Sequence, residues 1–175
     1  MWWRLVGILS GGMVLTAAET ALLPFFPPPF SYGSLSLTFL VLILFLSNRL
    51  SSVIFWLLWL GFLHELFSVS PAGAFLFSFL IAFCAAGWLS DYFFTNRTLP
   101  ALLALGAIAS VIFHFSFLVF VAAAGVKYQF SPLFSLKEYV FSFLKELAAN
   151  EIFLCLFYFL INHFSRRLKS FFLLR

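Results

Sequence analysis

Long apolar runs, separated by turns of only a few polar residues, restrict what this chain can fold into. Val53 to Leu63 and Leu35 to Leu46 carry no charged side chain, and Ala101 to Ala124 carries only His114 among its titratable groups. Of the 175 residues, 64% are hydrophobic and 9% charged, where a soluble domain has roughly 45–50% and about 25%. A water-soluble core of this size could not hide so much apolar surface. Lipid is therefore the expected solvent, and the expected fold class is all-α, a polytopic membrane helix bundle. A spanning helix takes about 20 apolar residues, which leaves room for about five or six spans and little for a soluble catalytic domain.

The polar breaks divide residues 1–175 into spans at about 3–23, 34–46, 50–67, 72–88, 101–124 and 151–163, within one integral membrane domain. The first run resembles a signal peptide in length. Gly7, Gly11 and Gly12 interrupt it, however, and apolar residues continue to Leu23, so a retained span is expected. Pro24 and Pro27 to Pro29 then forbid helix and favour an extended loop. Small residues, Ala82, Ala85, Ala86 and Gly87 in one span and Gly106, Ala107 and Ala109 in another, suit close helix packing. Over 136–149 the apolar residues Leu136, Val140, Phe143 and Leu147 recur at helical spacing among Lys137, Glu138, Lys145 and Glu146. That pattern predicts an amphipathic helix at the membrane surface, with the last span following it or starting inside it.

Six spans place both ends on one side, and the positive charges agree. Arg4, Arg49, Arg97, Arg166, Arg167, Lys169 and Arg175 fall on that side, against Lys127, Lys137 and Lys145 on the other. Arg49, Arg97, Arg166, Arg167 and Lys169 are read as topology anchors, with both termini cytoplasmic by the positive-inside rule. The basic tail is read as an anchor rather than a nucleic-acid site.

The most informative pattern is Gly61, Glu65, Ser68, Pro71 and Gly73, at the end of the third span. A carboxylate at membrane depth is costly unless it faces a partner or a wet cavity. Neighbours on a helix point about 100° apart, so His64 and Glu65 each need a partner from elsewhere. His114 is the expected partner for Glu65; the competing reading has Glu65 capping the outer turn near Ser68. Glu19 either snorkels to the headgroups, the favoured reading, or turns into the bundle. Glu19, His64 and His114 are thus the possible intramembrane polar partners. No nucleophile, base and orienter can be assembled from these groups, and no phosphate loop or metal-ligand spacing is present. Cys84 and Cys155 sit in apolar runs and read as small buried residues. The chain is expected to have no catalytic residues, no metal and no cofactor.

Three features resemble the MreD family of bacterial rod-shape-determining proteins. They are the proline-containing loop after the first span (Pro24, Pro27 to Pro29), the basic turn Asn48-Arg49, and Gly61 through Glu65 and Ser68 into Pro71 and Gly73. The family pattern is similar to Gly-Leu-x-x-Asp, a polar turn, then Pro-x-Gly; this chain departs from it in carrying Glu65 and in its 28 Phe residues. The resemblance implies a non-enzymatic scaffold of the cell-elongation machinery in the bacterial inner membrane. Its implied partners are MreC-like and MreB-like proteins and RodA with its penicillin-binding transpeptidase. It also implies a six-helix arrangement similar to the substrate-binding subunits of energy-coupling-factor transporters. A vitamin-type binding subunit of a membrane transporter is accordingly the alternative, and an enzyme acting on lipid-linked substrates ranks last.

Overall fold

A helix with no polar face needs an apolar surround, either other elements or lipid, and Leu35–Ser47 is such a helix. The structure, a computed structural model, describes residues 2–28, 30–47, 50–68, 71–93, 98–124 and 136–172. Among these, all regular structure is helical: α1 (Trp2–Ala17), α2 (Leu35–Ser47), α3 (Leu50–Phe67), α4 (Ala74–Tyr92), α5 (Leu99–Ala123) and α6 (Leu136–Phe172). α2 contacts all five of the others. Leu37, Leu40, Val41 and Leu44 are buried on its successive faces and pack with Leu57, Leu60, Phe79, Phe83, Leu102 and Leu105. Its short length follows from that central place.

The boundaries expected for the second and third spans match α2 and α3, because the breaks at Asn48 and Ser68 coincide with loss of the apolar run. α4 and α5 are long and apolar enough to cross a membrane; Leu9–Phe25, Leu35–Ser47 and Val53–Phe67 are shorter apolar helices. The first span does not remain one uniform helix. α1 passes into a turn of π-helix (Ala18–Leu22) and then a 3₁₀ turn (Leu23–Phe25), with Pro24 at its start. A second 3₁₀ turn, Phe30–Tyr32, leads into α2.

One expectation is corrected. The amphipathic segment at 136–149 and the span at 151–163 are a single helix, α6, of 37 residues, about 55 Å long. No Pro or Gly interrupts it, and Asn150, where the division was expected, is buried mid-helix. Arg49 and Arg97 lie outside the described residues. Arg166, Arg167 and Lys169 lie on the last turns of α6.

Helix approach is set by small residues. A Cβ on Gly61 would come within 3.2 Å of Leu76 Cα, so glycine lets α3 lie against α4. Gly11 and Gly12 receive the indoles of Trp56 and Trp59, which seats α1 on α3. Outward faces are apolar as well: Phe25 is 87% exposed, with Val14, Phe67 and Phe115 also on the surface.

Candidate functional site: two carboxylates at helix starts

The first turn of a helix leaves N–H groups without intrahelical acceptors, and the helix dipole makes that end attractive to anions. Two of the bundle's helices meet this need with a glutamate from the preceding helix. At α2, Glu19 Oε2 accepts the Ser36 N–H at 2.8 Å and the Ser36 hydroxyl at 2.5 Å, and Glu19 Oε1 accepts the Ser34 hydroxyl at 2.9 Å. Ser34 is the N-cap: its Oγ accepts the Leu37 N–H at 3.3 Å. Its own N–H donates to Asn150 Oδ1 on α6 at 2.7 Å.

His64 completes this cluster, with Nε2 2.9 Å from Ser36 Oγ and 3.5 Å from Glu19 Oε2. Ser36 has one hydroxyl proton and gives it to Glu19, so His64 must donate, which places the hydrogen on Nε2. The ring stacks on Phe75, 5.6 Å between centroids. Four elements, the π-turn that follows α1 and the helices α2, α3 and α6, are thereby joined around one carboxylate.

At α4, Glu65 accepts the Gly73 N–H at 2.5 Å and the Leu76 N–H at 3.3 Å. Gly73 has φ +90°, a left-handed conformation that favours glycine. Pro71 contributes its carbonyl to the Ala74 N–H at 3.0 Å. The pattern that stood out in the sequence is therefore a helical hairpin. Gly61 permits the approach, Pro71 and Gly73 make the turn, and Glu65 closes it; Ser68 ends α3, partly buried.

Of the two readings of Glu65, the pairing with His114 does not occur and the cap on the outer turn does, because the free N–H groups of α4 take the carboxylate. His114 Nε2 instead lies 3.0 Å from Glu146 Oε1 on α6, in an orientation unsuited to a hydrogen bond. The preferred reading of Glu19 is also corrected: it turns into the bundle from the π-turn. His64 and Glu65, as expected, point to different partners. Ser34, Ser36, Asn150 and Glu146 escaped sequence reasoning. Only Ser34 carried a usable signal, a serine directly before an apolar run.

α1 and α3 run parallel, since Gly11 meets Trp56 and Glu19 meets His64. Both capping carboxylates therefore stand at the same end of the bundle. Beside the Glu19 cluster a cavity of about 400 Å³ opens between the π-turn, the 3₁₀ turns and α6, lined by Ala18, Leu22, Phe26, Phe30, Phe153 and Leu156. Among the described residues no group of three or more His, Cys, Asp or Glu could hold a metal ion. No family model, no characterised protein and no solved structure matches the chain.

Proposed function

We propose that this chain is a multi-pass bacterial inner-membrane protein of the MreD type, a non-enzymatic scaffold of the cell-elongation machinery. Its six helices cross the bilayer with both termini cytoplasmic, and it links MreC-like and MreB-like proteins to RodA and its penicillin-binding transpeptidase. The observation that carries this reading is how the motif behind the resemblance is used. Glu65 uses both oxygens on the first turn of α4, as a residue that shapes a docking hairpin does. The outward apolar residues Phe67, Leu66 and Phe62 near that hairpin offer contact area to neighbouring helices. Mild crosslinking in cells followed by affinity capture tests it. MreC-like and RodA-like proteins are the expected captures; transport ATPases alone would contradict the scaffold role.

A second reading, a vitamin-type binding subunit of a transporter, is favoured by the cavity next to the Glu19 cluster. Its purely apolar lining suits a small hydrophobic ligand better than a polar one. Retention of a labelled vitamin by the purified protein at micromolar concentration would support that reading over the scaffold.

A further inference from the structure

The seam between α5 and α6 contains buried polar atoms that the clusters above leave out. Ser110 Oγ, Asn150 Nδ2 and both carboxyl oxygens of Glu151 are shut off from the surface and have no hydrogen-bond partner among the described residues. Ser110 and Asn150 are each only 1% exposed. Their positions converge. The two helices are antiparallel: Gly106 meets Glu151 and Leu154, while His114 meets Phe143 and Glu146. Ser110 lies midway between Gly106 and His114, level with residues 147–150 of α6, so it stands about one helical turn from Glu151. A Cβ on Gly106 would come 3.3 Å from Glu151 Oε1, so the glycine leaves space for the carboxyl.

An ionised carboxylate in such a place costs several kcal/mol unless a cation or donors meet it. None does. On α5 the titratable group is His114, which already contacts Glu146; the described residues of α2 include none. On α6 itself, Lys145 holds its ammonium over the rings of Tyr32 and Phe141, and Glu146, Cys155 and Tyr158 bring no positive charge. Beyond Ser34, Glu19 and His64 are engaged with each other.

We propose that Glu151 is a proton-binding site: in the folded protein its carboxyl is neutral. Protonation removes a charge whose two oxygens are shut off from the surface with neither a donor nor a cation in reach. The proton is then a structural ligand of the seam. An unfolded chain at neutral pH would have released it, so the folded state binds more protons and stability falls as pH rises.

Infrared spectroscopy of the purified protein in lipid nanodiscs tests this. Wild type at neutral pH is expected to show the C=O stretch of a protonated carboxylic acid, absent in Glu151→Gln and retained in Glu146→Gln. Absence of the band in wild type, or its survival in Glu151→Gln, overturns the proposal; the wild-type spectrum decides even if the variant folds poorly. Thermal unfolding gives an independent readout. Wild type should lose more stability than Glu151→Gln between mildly acid and mildly alkaline pH, and equal slopes would overturn the proposal as well.

Discussion

Glu65→Leu leaves the Gly73 and Leu76 N–H groups without their acceptor and should cost about 1–2 kcal/mol, the scale of a lost helix cap. Glu65→Gln keeps one acceptor oxygen and should cost less. Glu19→Ala is the more damaging change, at about 3 kcal/mol, because it strands Ser36 N–H, two hydroxyls and His64 inside the bundle. Thermal unfolding in detergent should rank the variants in that order, and equal losses would mean that the Glu19 cluster is not a joint. Little of this was legible beforehand. That His64 and Glu65 diverge follows from helix geometry, but which partner each finds depends on helix order in space. For Glu65 the sequence leaves two readings level, an imidazole partner in His114 and a cap on the outer turn, and the unpaired N–H groups of α4 decide for the cap. Glu19 reaches Ser36 from a π-turn, and nothing in Ala-Glu-Thr-Ala-Leu announces a π-turn.

At the scale of elements, the glycines make the sharpest contrast. A side chain at Gly61 meets the Leu76 backbone, which cannot step aside, while one at Gly106 meets first the end of the flexible Leu154 side chain at 2.3 Å. Gly61→Val should therefore cost about 1–3 kcal/mol through overpacking and separate α3 from α4. Gly106→Ala should cost less; the reverse order in the same unfolding assay would contradict the α3–α4 packing. Gly73→Val combines strain at φ +90° with the crowding of Phe77 at 3.0 Å, and should destabilise by about 1–3 kcal/mol. Helix limits were readable where a polar turn cut an apolar run, as on both sides of α3. α2 reads as a short span, and nothing in its sequence sets it apart from the equally apolar α3, α4 and α5 as the helix that the others enclose. The continuity of α6 was missed because a change of composition at Asn150 was taken for a break. Only Pro or Gly would have forced one, and the Asn150 side chain instead holds α6 to the start of α2.

At the scale of the molecule, many large apolar residues among those described lie on the outside, and polar groups inside are gathered at helix starts and along the α5–α6 seam. Such a division suits a bundle whose solvent is hydrocarbon and whose interior joints are hydrogen-bonded. The proposed arrangement is a lipid-embedded six-helix bundle with both ends on one side and the two glutamate-capped hairpins on the other. Cysteine accessibility measures it most directly, with Cys84 and Cys155 replaced and single cysteines placed at residue 2, at Pro28, at Ala72 and at Arg175. With a membrane-impermeant maleimide on intact cells, positions 28 and 72 are expected to label from outside, and positions 2 and 175 only after the membrane is opened. Labelling of the two ends from opposite faces, or release of the protein from membranes by an alkaline wash, would contradict it.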